Sequence, residues 1–257
     1  MNLLLDSPQT SSVTTVLPRA DVRPAATQAN LLLAGMFPAE RARLKAKLEL
    51  RKLHQGDILF TPGVRNTYVY FPEDAVISHV YEGEAGTSVE AAMIGFEGAS
   101  GLCTVFDEQA PEYRASVTVA GYAYRILASD LREEFARRGT LQIALVRYLA
   151  GHVAELGQRV SCGIYHHAEE RLCAWLLMLR DRSGRANLRI THDEIASLLG
   201  LNRTSVSCIA KRLKDNGSVN YARGKLQICD PAILKKHACE CYAILSGSKE
   251  HVPAYTL

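Results

Sequence analysis

The sequence predicts an α+β protein with an N-terminal antiparallel β-roll (jelly-roll-like), a long dimerisation helix and a C-terminal winged helix-turn-helix. Three observations over its 257 residues carry this prediction. Short β-type segments separated by turn residues fill the first half of the chain. A long stretch of helical periodicity follows, and a capped pair of helices then precedes a basic hairpin.

Composition limits the class of protein. Hydrophobic residues make up 47% and charged residues 22% of the chain, which is ordinary globular usage and excludes a fibrous or wholly disordered protein. The sequence has no apolar run of about 18 residues, so we expect no membrane partner. Its first residues lack a basic start and a long apolar stretch, so we expect a cytoplasmic location.

The net charge of +3 conceals two halves of opposite sign. Residues 1–130 hold 11 basic and 15 acidic side chains, giving −4, whereas residues 131–257 hold 19 and 12, giving +7. Such asymmetry favours a nucleic-acid surface on the basic half.

The seven cysteines are an odd number in a chain without an export signal, so we expect reduced, mostly structural thiols. Only Cys239 and Cys241 are close in sequence, and one intervening residue is not the spacing of a structural zinc site. The sequence therefore predicts neither a metal site nor a cofactor.

The first half of the chain divides into an arm and a roll. Residues 1–28 are rich in Ser, Thr and Pro and predict a disordered arm. Helical spacing covers residues 30–36 and again 38–50, and β-type segments separated by turns then predict a small roll, so that the roll domain occupies residues 29–130. The predicted strands are 58–60, 68–71, 76–81, 89–94, 117–119 and 122–127.

Residues 131–164 predict one long connecting helix. Its apolar positions are spaced by four, four, three and four residues and form a single seam: Leu141, Leu145, Leu149, His152 and Leu156. Such a seam either packs on its own roll or meets its copy in a dimer. We favour the dimer, because a helix-turn-helix reading paired half-sites needs a twofold partner.

Residues 165–246 predict the winged helix-turn-helix, followed by a tail at 247–257. Thr191 and Glu194 have the spacing of a capping box at the start of one helix. Gly200 ends that helix, and Asn202 is a good N-cap for the next. A helix, a short turn and a second capped helix are typical of a helix-turn-helix.

The second helix has two different sides. An apolar side faces the core, and the opposite side carries Arg203, Thr204, Ser207, Lys211 and Lys214. Arginine can bond guanine, small hydroxyls fit the major groove, and lysines neutralise phosphates. A merely solvated helix face usually includes acidic residues, and none occurs between Asn202 and Lys214. The tip of the following hairpin carries Arg223 and Lys225, which suits phosphate contact.

This order of parts resembles the bacterial Crp/Fnr transcription regulators over about residues 31–241. Residues 55–60 (QGDILF) resemble the family's strand-turn signature, and residues 95–102 (GFEGASGL) its phosphate-binding cassette. The resemblance implies a homodimer on (pseudo)palindromic double-stranded DNA, with RNA polymerase as a further partner. It places base-reading positions on Arg203, Thr204, Ser207 and Cys208, although many members carry Arg at the position of Cys208.

The roll departs from members that bind cyclic nucleotides. These use a Glu for the ribose and an Arg–Ser/Thr pair for the phosphate, whereas here Ala99 takes the Glu position and Ala115 follows Arg114. The cysteine cluster of oxygen-sensing members is also missing. We therefore expect a regulator that cyclic AMP does not control. The alternative is a roll that binds another anionic or phosphorylated small molecule, in a pocket of Gly98, Ala99, Ser100, Gly101 and Arg114, with DNA binding as the output.

An enzyme built on the roll is the remaining hypothesis. A cupin-like metal enzyme would need clustered His and Glu ligands. Only His54 and His79 lie in the roll, and the sequence has no P-loop or nucleophile elbow. We expect no catalytic residues and no enzymatic activity.

Overall fold

The computed structural model describes residues 29–106 and 110–247 and confirms the α+β class. The predicted arm and nearly all of the predicted tail lie outside these residues. The helices are α1 (Leu31–Ala34), α2 (Pro38–Lys45), α3 (Cys103–Phe106), α4 (Ala128–Ala136), α5 (Thr140–Tyr165), α6 (Ala168–Ser183), α7 (His192–Leu199), α8 (Arg203–Asp215), α9 (Pro231–His237) and α10 (Cys241–Gly247). The strands are β1 (Glu49–Leu53), β2 (Ile58–Phe60), β3 (Tyr68–Pro72), β4 (Val76–Glu82), β5 (Ser88–Ile94), β6 (Arg114–Val119), β7 (Gly121–Leu127), β8 (Asn187–Arg189), β9 (Val219–Ala222) and β10 (Lys225–Ile228).

Two antiparallel sheets form the roll. One has the strand order β1-β7-β3 and the other β2-β6-β4-β5. Alternate residues of each strand point between the sheets, so that Ile77 lies opposite Ile94 and Val117 in a fully buried layer. All six predicted strands are present, most of them one to three residues longer than predicted.

The predicted helix over residues 38–50 is wrong in its second half. Helix α2 ends at Lys45, and Glu49–Leu53 is strand β1, paired with β7 over five residues. The Glu49 carboxylate accepts hydrogen bonds from Arg51 at 2.5 Å and Arg125 at 3.0 Å. This polar segment has good helix propensity, but pairing with the edge of β7 outweighs it.

The predicted helix over residues 131–164 is two helices, because the chain breaks between α4 and α5. Arg138 takes the left-handed conformation (φ 58°), and Gly139 caps α5. A side chain at Gly139 would overlap the Glu40 carboxylate, which accepts a hydrogen bond from the Thr140 hydroxyl. In the described part of the chain, no helix is both long and apolar enough to cross a membrane.

The C-terminal domain packs helices α6–α10 around a small sheet of order β8-β10-β9. Its core contains Trp175, Val206 and Leu226, and it continues into the outer face of the roll at Met93. Polar contacts cross the same boundary, since the Trp175 indole donates to the Glu90 carboxylate at 2.9 Å. The domain is therefore held against strands β4–β6 by both apolar and hydrogen-bonded contacts.

Candidate nucleic-acid interface

The first helix of the predicted helix-turn-helix begins and ends at the expected residues, and the second begins at the expected residue. Thr191 and Glu194 form the capping box of α7, with the Glu194 amide donating to Thr191 Oγ1 at 3.2 Å. Gly200 ends α7 in the left-handed conformation (φ 62°), where a Cβ is disfavoured. Asn202 Oδ1 accepts from the Ser205 amide at 2.7 Å and starts α8. The side chain of Asn202 thus holds the start of α8.

Helix α8 buries one side and exposes the other. Val206, Ile209, Ala210 and Leu213 are buried in the domain core. The exposed side carries the predicted positions Arg203, Thr204, Cys208, Lys211 and Lys214. Arg203 Nε lies 3.4 Å from Asp193 Oδ1, and both side chains are about two-thirds exposed. Such an exposed ion pair contributes little, so Arg203 can exchange Asp193 for a base edge.

Ser207 makes a contact within the domain that its position on the helix did not predict. It is half-buried, and its Oγ lies 2.9 Å from His192 Nδ1. The His192 ring stacks on Tyr221 of β9 at 4.2 Å, and the Tyr221 hydroxyl donates to the Ile190 carbonyl at 3.0 Å. Partial burial, followed by the nearby Arg203 charge, lowers the pKa of His192. Ser207 therefore fastens α8 to α7 and the hairpin.

Sequence reasoning missed His192 in this contact. The only local signal was a histidine at the first position of a helix directly after a capping threonine. Its partners lie 15 and 29 residues away, on another helix and on a strand.

The hairpin β9–β10 forms the predicted wing. Both residues of its turn have positive φ, Arg223 at 50° and Gly224 at 74°, which is the type I′ turn that suits a two-residue hairpin. The side chains of Arg223 and Lys225 are exposed at its tip. The wing thus presents two positive charges beside α8.

The roll contacts α7 and leaves α8 open. Ser88 Oγ of β5 lies 2.5 Å from Ser197 Oγ of α7, and Gln55 Nε2 donates to the Arg189 carbonyl at 2.6 Å. The face of α8 that carries Arg203 and Lys211 is exposed in the same structure. The domain arrangement therefore leaves the predicted reading surface accessible.

The predicted effector pocket is not brought together. Arg114 lies on the outer face of β6, pairs with Glu82 of β4 at 2.6 Å and lines a crevice beside α7. The roll interior receives its neighbour Ala115 instead. The other four residues, Gly98, Ala99, Ser100 and Gly101, stay together in the loop after β5. The expectation that Arg114 shares a pocket with them is wrong because strand alternation sends its side chain outward.

The loop 98–101 meets aromatic and imidazole side chains. A Cβ at Gly98 would lie 2.6 Å from the Tyr148 ring, so this ring packs directly on the Gly98 backbone. Ser100 Oγ lies 2.7 Å from His79 Nε2, and His79 stacks on Tyr113 at 4.2 Å. Burial lowers the pKa of His79 to about 3, with a smaller effect from His152. The interior of the roll thus holds a neutral histidine.

The predicted dimer seam faces its own roll. Leu141 and Leu145 are fully buried in a cluster with Phe71 and Leu131, and the rest of the predicted seam, Leu149, His152 and Leu156, is half-buried beside the roll. The interpretation of this seam as the dimer contact is therefore wrong. Spacing alone could not separate the two interpretations that the sequence left open.

A second apolar stripe, displaced from this seam by about 100° around α5, was missed. Val153, Val160 and Ile164 are 68%, 64% and 68% exposed. The stripe consists of Val146, Ala150, Val153, Gly157, Val160 and Ile164, spaced alternately by four and three residues. That is the spacing of a two-helix seam, and it was readable in the sequence.

Comparisons with known proteins agree with this geometry. Residues 170–237 match the family model described as a Crp-like helix-turn-helix domain. The transcriptional regulator SdrP of Thermus thermophilus is 29% identical over 100 residues, which are 37% of this chain and 50% of that protein. The match thus spans half the length of that relative.

Three solved structures share the fold at low identity. A CRP/FNR-family transcriptional regulator from Thermus thermophilus has a TM-score of 0.60 at 22% identity and covers 74% of this chain and 98% of its own. FixK2 from Bradyrhizobium japonicum has a TM-score of 0.62 at 15% identity, covering 75% and 98%. The c-di-GMP responsive regulator CLP from Xanthomonas campestris has a TM-score of 0.61 at 17% identity, covering 76% and 100%.

The fold and the site define a class, a β-roll joined by a long helix to a winged helix-turn-helix. Within that class, residues 170–237 are a Crp-like helix-turn-helix domain, and the chain shares its fold with solved regulators such as the CRP/FNR-family protein from Thermus thermophilus.

Proposed function

We propose that this chain binds specific DNA sites as a homodimer and regulates transcription. The observation that carries the proposal is the exposed face of α8, which has no acidic residue from Arg203 to Lys214 and has Arg203 and Thr204 in its first turn. The first turns of a recognition helix are where such proteins touch base edges. Arg203 can bond guanine through two parallel hydrogen bonds, and Thr204 can contact a neighbouring base.

Positive charges around this face supply the sequence-independent part of binding. Lys211 and Lys214 lie farther along α8, and Arg223 and Lys225 lie at the wing tip. Each of these can neutralise a phosphate and release counterions. Cys208 is exposed on α8 between Thr204 and Lys211. Its thiol is a weak hydrogen-bond donor and takes the place of a third strong base contact.

The exposed stripe of α5 supplies the twofold contact. Packing Val153 and Val160 against their copies would bury an apolar surface that the monomer leaves in water. Ala150 and Gly157 between them let two helices approach closely. A parallel pair of α5 helices places two α8 helices on one side of the dimer, as paired half-sites require.

Cyclic AMP is not the controlling ligand in this proposal. A buried cyclic phosphate needs a cationic partner, and Arg114 is on the outside of the roll in a pair with Glu82. Ala99 has no acceptor for a ribose hydroxyl, and the Tyr148 ring packs on Gly98. These features remove both groups through which the related cyclic-nucleotide sites hold their ligand.

Selection of bound fragments from random double-stranded DNA tests the proposal. We expect enrichment of a twofold-symmetric motif whose half-sites lie about one helical turn apart, roughly 10 base pairs. An unenriched pool at moderate salt would contradict it. An enriched but asymmetric half-site would support DNA reading and contradict the homodimer.

A further inference from the structure

Four side chains able to bind a metal lie together where α5 meets the C-terminal domain. Cys162 lies in the last turn of α5, and His166, four residues later, is the residue that directly follows the helix. Cys239 precedes α10, and Cys241 is its first residue. The four candidate ligand atoms all lie within 4.8 Å of one another. The cluster lies outside the DNA-reading surface and the roll interior.

The separations within the cluster fit a tetrahedral cation. Zinc bonds of about 2.3 Å to sulfur and about 2.0–2.1 Å to nitrogen give tetrahedron edges of about 3.8 Å between sulfurs and about 3.6 Å between sulfur and nitrogen. Cys162 Sγ and Cys239 Sγ are 3.6 Å apart, and Cys241 Sγ and His166 Nδ1 are 3.5 Å apart. A cation can therefore enter with little movement of the ligands.

Neighbouring side chains support this arrangement from outside. His166 Nε2 lies 3.1 Å from Glu240 Oε1, so a carboxylate accepts the imidazole N–H on the side away from the cysteines. That contact leaves Nδ1 as a free ligand atom and orients the ring, as is usual for metal-bound histidine. Gln158 Nε2 donates to Cys241 Sγ at 3.0 Å, which suits a thiolate. All three cysteines are free thiols.

We propose that Cys162, His166, Cys239 and Cys241 form a Zn²⁺ site that fastens the C-terminal domain to the end of α5. Three cysteines and one histidine are a closed structural set for zinc and leave no open position for catalysis. The sequence analysis expected no metal because Cys239 and Cys241 have the wrong spacing by themselves. The fold supplies the second pair from a helix 77 residues earlier in the chain.

The site lies where a bound cation would restrict the connection between α5 and the C-terminal domain. His166 is the first of the two residues between α5 and α6, where the chain turns from the long helix into the C-terminal domain. A cation bound to Cys162 on one side and Cys241 on the other would restrict that turn. Because the metal binds only the folded arrangement, its binding free energy adds to stability.

Metal content of the full chain, purified anaerobically with reductant and without chelator, tests the proposal. We expect about one zinc per chain by mass spectrometry of the metals. Replacing zinc with Co²⁺ should give intense visible absorption of a tetrahedral site and sulfur-to-cobalt charge transfer in the near ultraviolet. Cys162→Ser and Cys241→Ser should each lose most of the metal. Cys208→Ser and Cys229→Ser, which change exposed thiols of the same domain, should retain it.

Three outcomes would overturn the site. They are a wild-type chain that neither holds zinc nor gives the Co²⁺ spectrum, bound iron with sulfide in place of zinc, and full metal retention in Cys162→Ser. The Co²⁺ titration of the wild-type chain decides the matter even where a serine variant does not fold. Removal of zinc by a strong chelator should also lower the thermal midpoint, and Zn²⁺ alone should restore it. None of these measurements uses DNA, so a failure of DNA binding leaves their outcome unchanged.

Discussion

The guanidinium of Arg182, in the C-terminal domain, donates to the Glu97 carboxylate of the roll at 2.6 Å. The same guanidinium donates to Glu155 of α5 at 2.9 and 3.0 Å, and its side chain is only 2% exposed. One buried cation therefore joins the three parts of the chain. Glu97 belongs to the cassette-like loop after β5. Through Arg182, this loop is therefore linked to both α5 and α6.

We predict that Arg182→Met destabilises the chain by about 3–5 kcal/mol, because it leaves Glu97 and Glu155 as buried carboxylates without their shared cation. Denaturant unfolding, followed by fluorescence of the single tryptophan, Trp175, measures this loss. Arg180→Met removes a half-exposed arginine from the same helix and should change stability by less than about 0.5 kcal/mol. Equal losses in the two variants would contradict the assigned role of Arg182.

The contact between Arg182 and Glu155 predicts how the free energy of unfolding changes at low pH. Burial alone would raise the pKa of Glu155, but Arg182 and Arg159 outweigh it and hold the pKa at about 2. In the unfolded chain this carboxyl titrates near 4.3. Its contribution is therefore complete above about pH 4.3 and is lost as the pH falls toward 2.

We predict that His79 makes stability fall between about pH 6.5 and pH 4. Burial first, then the neighbouring His152, lowers the pKa of His79 to about 3, while Glu155 opposes the shift. The unfolded chain binds a proton near pH 6.5 that the folded chain does not bind, at a cost of up to about 1.4 kcal/mol per pH unit. His79→Gln should flatten this slope, whereas the exposed His54→Gln should keep it. Parallel stability–pH curves for His79→Gln and the wild type would show that His79 does not cause the fall in stability.

For DNA, we predict that Arg203→Ala costs about 1–3 kcal/mol on the selected site and relaxes preference at one base pair per half-site. Breaking its exposed pair with Asp193 costs little, so the loss reports the base contact. Fluorescence anisotropy against the selected site and its single-base variants measures both effects.

Lys211→Ala is the comparison for this variant. It should weaken all sequences about equally and reduce the salt slope by about one. Lys45→Ala, an exposed lysine on the roll, should bind as the wild type does. If Arg203→Ala also weakened all sequences equally, Arg203 would be a phosphate contact and its assignment as a base reader would be wrong.

We predict that Val153→Glu gives monomers with weak DNA binding. Val153 is 68% exposed in the middle of the second stripe of α5, and a dimer would bury the new charge without a partner. Light scattering measures the mass. Gly151→Glu places the same charge on another side of α5, where a side chain meets open space, and should leave the dimer intact. If Val153→Glu were still a dimer, the twofold contact would lie on a surface other than this stripe.

The parts predicted from sequence are those determined by near neighbours. The Thr191–Glu194 capping box and the Asn202 cap use partners three residues away, so their positions followed from spacing. From spacing alone, Leu145 could pack on its own roll or on the α5 helix of a second chain. Its burial beside Phe71 in the folded chain distinguishes the two. The Cys162–Cys239 contact joins residues 77 apart, so it was invisible until α5 and α10 were placed together.

Lastly, we predict that neither cyclic AMP nor cyclic GMP binds this chain below about millimolar concentration. The phosphate would enter a roll whose only predicted cation for it, Arg114, points outward and pairs with Glu82 at 2.6 Å. Its ribose would meet Ala99, and its sugar-phosphate edge the Tyr148 ring on Gly98. Calorimetric titration should therefore show no saturable heat, and DNA affinity should be the same with and without either nucleotide. A micromolar dissociation constant that disappears in Arg114→Ala would restore a cyclic-nucleotide switch, because it would require Arg114 to leave Glu82 and turn into the roll.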